Sequence, residues 1–414
     1  MIESGGIPAT GEAAIFCAAH GISAHRDSHI AAEQVALQIS DALPDPRQAN
    51  LLLIFADQSH RDNFAEITAH LQKTLQPEVT LGVLAEAVSG GETELDDGPG
   101  ISALALRMPD VRLTPFTYDQ ISAGNIHNTP HKLAEIMGLD SSSKAVLIFA
   151  DPFSTPVTDL LTDIRLASAT IPSLPPLPVT GGMASAGRKS GENRLVLNDQ
   201  LFLAGAVGVT ISGSVDINFI VSQGCKPIGR PLIVTAARRT LLQQLAGRPA
   251  LEVIREMMNE VSDEERSLAS RGLLLGKVID EYKDHFGRGD FLVRGIIGAD
   301  PKAGILAIEE PLRVGQTVQL HVRDATTADE DLKLLLDGQK IHDQPAAALL
   351  VSCNGRGKKL FNQPHHDVLA VKQALGDIPL AGFFAAGEIG PIGNRSFLHG
   401  HTASLVLFRS PIQQ

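Results

Sequence analysis

The chain has 414 residues, 43% hydrophobic and 20% charged, with a net charge of −12; that length implies two or three domains, and the composition is that of a soluble globular protein. The acidic balance repels phosphate backbones and anionic lipid, and no basic stripe interrupts it, so nucleic acid and membrane are excluded as partners. Three scattered cysteines (Cys17, Cys225, Cys353) without CxxC spacing exclude a disulfide framework and a zinc knuckle. The N-terminal MIESGGIPATGEAAIF lacks the charged and apolar regions of a secretory signal, and no apolar run reaches the ~18 residues of a membrane span, so a cytoplasmic protein is expected.

In chain order, His29–Ser40 predicts a helix with Ile30, Val35, Leu37 and Ile39 on an approximate apolar stripe, stopped by DALPDP. Three strands follow: LLLIFAD (Leu51–Asp57), TLGVLA (Thr80–Ala85) and ISALAL (Ile101–Leu106). The same succession returns as AVLIFAD (Ala145–Asp151), VTGGMA (Val179–Ala184) and LAGAVGVTI (Leu203–Ile211), with a Pro-rich loop over Ile171–Gly182. Pro249–Glu260 predicts a helix with Pro in its first turn, and Phe291–Leu312 a hairpin turning at Asp300-Pro301. Glu330–Leu336 is a further helix, and the acidic turn before it makes Asp324 a cap. The strand pattern then occurs a third time: LLVSCN (Leu349–Asn354), LAGFFA (Leu380–Ala385) and TASLVLF (Thr402–Phe408).

Near-continuous Val/Ile/Leu runs bounded by turn signals are strands buried on both faces. Their spacing is too long and variable for a solenoid. The expected fold is α/β: two related domains built from repeated β-α-β-β units, with mixed sheets covered by outer helices, divided as residues 1–214 and 215–414. In the repeat, Ala56, Ala150 and Cys353 fall in one slot, and Gly82, Gly182 and Gly382 in another.

The third copy is the most elaborate, because its Gly-rich turn carries Glu388, Asn394, Arg395, His399, His401 and Thr402. Strand-end loops are where sheet proteins place ligands. Arg356, directly after the first strand, is a candidate bidentate clamp for a ligand carboxylate, or the partner of Glu388 in a structural ion pair. Glu388 in turn suits a ligand amine, or caps a turn; unpaired burial of its charge would cost several kcal/mol. His399 and His401, two apart, share a strand face and either join Glu388 at a metal or serve as hydrogen-bonded polar residues. His365-His366 reads as an exposed loop. Cys353 with His399 or His401 as base is a possible nucleophile, but its slot in the repeat argues for packing. Gly182 to Ser190 nearly spells a P-loop, with Arg188 displacing the Lys-Ser pair, and Gly387, Gly390 and Gly393 run into a strand, so neither nucleotide motif holds.

The C-terminal half resembles the FIST family. The resemblance rests on Arg230–Met258, the Phe291–Ile308 hairpin, Val314–Leu336, SCNGRG and GFFAAGEIGPIG…FLHGHT, in that order. LLLIFAD and GGMASAG resemble the N-terminal FIST domain, so 1–214 and 215–414 correspond to FIST N- and C-terminal domains. The family turn of G-C-S-x-x-G-E type is replaced here by GVLAEAVSGGE, and the Asn-x-Thr after Leu-His by His399-Gly400-His401-Thr402. The resemblance implies a sensory module of intracellular signalling that binds a small molecule, an amino acid among the proposed ligands, and signals through a separate partner. The expected ligand-binding residues are Asn354, Arg356, Phe383, Glu388, Asn394, His399, His401 and Thr402, with no cofactor, no metal and no catalysis. A Cys/His-dependent hydrolase and a non-catalytic interaction scaffold are the alternatives.

Overall fold

The computed structural model describes residues 16–45, 47, 49–123 and 129–411. Residues 1–15 of the N-terminal segment, which lacks a secretory signal pattern, lie outside them. The chain folds as a mixed α/β protein in which one arrangement is built three times. The first unit runs β1 (Cys17–Ser23), α1 (Ser28–Ala42), β2 (Leu51–Asp57), α2 (Phe64–Leu75), β3 (Val79–Ala85), a hairpin of β4 (Val88–Gly90) and β5 (Thr93–Leu95), and β6 (Ile101–Arg107). The second runs β7 (Val111–Thr117), α3 (Tyr118–Ala123), α4 (Pro130–Ile136), β8 (Ser143–Ala150), α5 (Val157–Ser168), β9 (Val179–Met183), the hairpin β10 (Leu195–Leu197) and β11 (Gln200–Phe202), and β12 (Ala206–Gly213).

The third unit opens with β13 (Asp216–Gln223) and is then interrupted by residues 225–323. That insertion comprises β14 (Cys225–Arg238), β15 (Leu241–Leu245), β16 (Arg248–Pro249), α6 (Ala250–Glu260), α7 (Asp263–Ser270), β17 (Leu273–Val278), β18 (Phe291–Asp300), β19 (Ile305–Ile308) and β20 (Thr317–Arg323). The unit resumes with α8 (Ala325–Asp337), β21 (Ala347–Cys353), α9 (His366–Leu375), β22 (Leu380–Ala385), the hairpin β23 (Glu388–Ile392) and β24 (Arg395–His399), and β25 (Thr402–Arg409). Asp324 caps α8 by accepting from Thr327 N, as the acidic turn predicts.

Each unit contributes four strands to its sheet and borrows a hairpin from another. The orders are β1-β6-β2-β3-β10-β11, β7-β12-β8-β9-β23-β24 and β13-β25-β21-β22-β4-β5. The first unit takes its hairpin from the second, the second from the third, and the third from the first, so the exchange closes on itself. Residues on either side of position 214 therefore share sheets: β23 pairs with β9, and β4 with β22. The inner faces meet in one core, where Phe55, Phe149 and Phe383 pack together with ring centroids 5.2–5.7 Å apart. Outer faces are covered by α1 and α2, by α4 and α5, and by α8 and α9. On α1 the buried positions are Ala31, Ala32, Val35, Ala36 and Ile39, whereas Ile30 and Leu37 face solvent, so small residues replace half of the expected stripe.

In the insertion, β14 pairs with both β20 and β15, which closes β14-β20-β17-β18-β19-β15 into a barrel whose core includes Val253, Ile254 and Met257 of α6. The predicted hairpin at Asp300-Pro301 is its β18–β19 corner. The ladders also correct the repeat register. Ile54 faces Gly82, Ile148 faces Gly181 and Leu350 faces Gly382, so Gly181 rather than Gly182 fills the shared slot. A Cβ on Gly181 or Gly382 would lie 1.9 or 1.8 Å from the facing carbonyl oxygen, which explains the glycine. The same register aligns Cys353 with Asp57 and Asp151, and Ser352 with Ala56 and Ala150.

Candidate functional site

In every unit the two central strands run parallel, β2 with β3, β8 with β9, and β21 with β22, so their carboxyl ends open on the same edge. That edge carries the polar groups. In the second unit it is closed: Asp151 accepts from Asn193 Nδ2 (2.8 Å), Ser154 Oγ (2.6 Å) and Phe153 N (3.2 Å).

The third unit, where the sequence concentrates candidate residues, is closed more thoroughly. Arg356 is fully buried, and its fork grips Asp367 of α9 through two bonds of 2.8 Å rather than Glu388. Its guanidinium also lies over the Phe361 ring, on which the His366 ring stacks as well. His366 is buried, not in an exposed loop, because its two ring nitrogens lie 2.9 Å from Asp329 and Asp367. Burial opposes ionisation of Asp367, yet Arg356 and His366 hold its carboxyl below the usual range. Glu94, on the hairpin lent by the first unit, accepts from the Asp367 and Val368 backbone N–H at the start of α9, and burial beside Asp367 pushes its pKa up to about 8.

Glu388 stands where the other units have Leu195 and Val88, both core residues. Its Oε2 accepts from Thr402 N (3.1 Å) and Oγ1 (2.8 Å), while Oε1 is buried with no hydrogen bond of ordinary geometry among the described residues and the Cys353 thiol close to the carboxyl. Burial raises its pKa to about 8, so the group is largely neutral near pH 7. Cys353 and Cys225 lie within electrostatic reach of it and of Arg323. Burial pushes both thiols to about 12, far from the thiolate a nucleophile needs. His399 ends β24 with Nε2 against the Gly390 carbonyl, whereas His401 sits in the following turn at φ +64, so the two do not share a strand face. Burial lowers both imidazoles to about 4. Among the described residues no group of three His, Cys, Asp or Glu is placed to hold a metal.

Two other candidates lie elsewhere. Phe383 belongs to the three-ring core, and its neighbour Phe384 is the one that reaches the crevice at the strand ends. Asn394 is exposed at the tip of the β23–β24 hairpin, beside Arg165 and Pro176. The crevice beside Asn354 and Arg356 encloses only about 40 Å³.

The first unit is open. A cleft of about 730 Å³ lies over the ends of β2 and β3, walled by Arg26, Asp57, Ser59, Arg61, Glu86 and Arg188 among others. Asp57 is committed to the wall, accepting from Ser59 N, Ser59 Oγ (2.6 Å) and Gly100 N (3.1 Å). Glu86 reaches across to the third unit, where it accepts from Lys359 Nζ (2.5 Å) and Asn354 Nδ2 (3.1 Å). Ser185, from the second unit, accepts from Glu86 N and donates to the Phe384 carbonyl. The first and second units line this cleft, and Glu86 ties it to the third. The sequence reading missed Arg26, Arg61 and Arg188. Arg61 follows the first strand much as Arg356 follows its own, and that parallel was the available signal; Arg188 sits in the segment dismissed as a broken P-loop.

The FIST N domain pattern matches residues 50–248 and the FIST C domain pattern residues 250–391. The chain belongs to the FIST family. FIST domains are associated with sensory signal transduction. An uncharacterized protein of Mycobacterium tuberculosis is 36% identical over 396 residues, covering 94% of this chain and 98% of that one. One from Mycobacterium bovis is 36% identical over 404 residues, covering 94% and 97%. Among solved structures, a cyanuric acid hydrolase from A. caulinodans aligns over 96% of this chain and 100% of its own, with a TM-score of 0.31 and 8% identity. Among the described residues no helix is long and apolar enough to cross a membrane.

Proposed function

We propose that this FIST protein senses a small polar molecule, without chemistry, in the cleft of the first unit, and passes the signal to a separate protein partner. The site proposed from sequence thus moves from the third unit to its open counterpart. The observation that carries the reading is the junction at Glu86. One carboxylate lines a ligand-sized cleft and is also bonded to Asn354 and Lys359, beside the buried Arg356–Asp367 network. A ligand seated beside Glu86 perturbs a bond between units, which favours one arrangement of the strand ends over another. Binding without catalysis is supported by the Cys353 thiol, which is buried and held protonated away from the open cleft.

A thermal-shift screen of amino acids and small acids tests this. A ligand at about 100 times its Kd adds about 2.7 kcal/mol to stability. Gln58→Trp, at an exposed position on the cleft wall, should abolish the shift and leave the unliganded melting temperature unchanged. A shift that survives Gln58→Trp places the ligand elsewhere and sinks the reading.

A further inference from the structure

Resting on the reading that the first unit's cleft is the ligand site, we propose that its ligand is a small dianion, the charge carried by two carboxylates or by one phosphate, held by Arg26, Arg61 and Arg188. The three arginines come from three separate connections: the β1–α1 loop, the turn after β2, and the loop after β9 of the second unit. Converging on one cleft from distant parts of the chain, they are placed by the fold rather than by a local run of basic sequence.

The negative charges of the wall are already spoken for. Asp57 is bonded to Ser59 and Gly100, and Glu86 to Lys359 and Asn354. Arg61 Nε, by contrast, is covered and has no hydrogen-bond partner among the described residues. That donor is free to take an oxygen of an incoming anion.

The third unit shows what completes such a site. There the arginine after the first strand, Arg356, is neutralised by Asp367, the second residue of the following helix α9. In the first unit the second residue of the corresponding helix α2 is Ala65. Glu192 lies within electrostatic reach of Arg61, but it stands outside the cleft wall and accepts from the Arg188 backbone N–H, so the open side of the cleft is left to an anion from solution. The planar fork of arginine matches carboxylate and phosphate oxygens alike. A cationic cleft within a chain of net charge −12 also concentrates anions where the rest of the surface repels them.

The test uses the full chain at pH 7.5 and constant ionic strength, with sodium succinate, inorganic phosphate and glutamine as probes, read by thermal shift and titration calorimetry. Saturable binding of succinate or phosphate is expected, and which of the two binds identifies the acid group. Arg61→Gln and Arg188→Gln should each weaken that binding by about tenfold or more, the loss of one bidentate contact. Arg188 is exposed, so its variant gives a second, independent readout. Saturable glutamine binding that Gln58→Trp abolishes, with neither dianion bound, overturns the dianion while leaving the cleft as the ligand site. Dianion binding unchanged in both arginine variants also overturns it. If none of the three probes binds saturably, the dianion and the cleft reading fall together.

Discussion

The first and third units place the same kinds of groups at the same strand ends, yet one is an open cleft and the other a sealed cluster. The difference lies in one connection. Between β1 and α1 the chain needs only residues 24–27, including Arg26, whereas between β13 and α8 it inserts the whole barrel. The insertion begins at Cys225 and ends at Arg323, which donates to the Gly355 carbonyl and lies within reach of Cys353. The barrel thus lies against the third strand ends, and α9 supplies the counter-charge Asp367. The same arrangement of strand ends is open in one repeat and packed shut in the other.

The contrast is sharpest for the paired arginines. Arg356→Ala leaves Asp367 buried beside Glu94 without its cation and is expected to destabilise by about 3–5 kcal/mol, whereas Arg61→Ala should stay within about 0.5 kcal/mol. Urea denaturation of both variants measures this, and equal losses would erase the distinction between sealed and open sites.

A pH series breaks or supports the sealed state of the third unit. Glu388 is raised from an ordinary 4.5 to about 8 in the folded protein, so its contribution is fully present below 4.5 and lost as pH rises through 8. Glu388→Gln should therefore be more stable than the parent at pH 9, by an amount on the order of a few kcal/mol, with the gap closing near pH 5. Glu94, also raised to about 8, keeps part of the slope in the variant. A gap that does not narrow on acidification would show that Glu388 is ionised in the folded state.

The bridge between the units gives a smaller effect. Glu86→Gln weakens a partly exposed ion pair with Lys359, worth about 1 kcal/mol at most. Its signature lies in hydrogen exchange instead: ligand-induced protection at the start of α9 should vanish while the cleft still binds. The smallest effect is chemical. Of the three thiols only Cys17 is partly exposed, so native protein should react with a thiol reagent at one site and unfolded protein at three. Rapid native labelling of Cys353 would reopen the hydrolase alternative.

Much of this molecule was legible from residue order. Local apolar runs and turn residues revealed the three strand successions, the barrel hairpin at Asp300-Pro301 and the Asp324 cap, because each depends on neighbours in the chain. The buried third-unit cluster is half legible: Arg356 stands out directly after a strand, Thr402 among the polar residues of the Gly-rich turn, and Glu388 because a carboxylate in an apolar run needs a partner. Which partner each one takes is not. Asp367 lies on a helix and Glu94 on a borrowed hairpin, and nothing in sequence spacing says that those elements meet. The exchange of hairpins, the Cys353–Asp57–Asp151 alignment and the gathering of Arg26, Arg61 and Arg188 depend on pairings between strands far apart in the chain. Such pairings are set by how whole sheets close around one core, and that is a property of the tertiary structure alone.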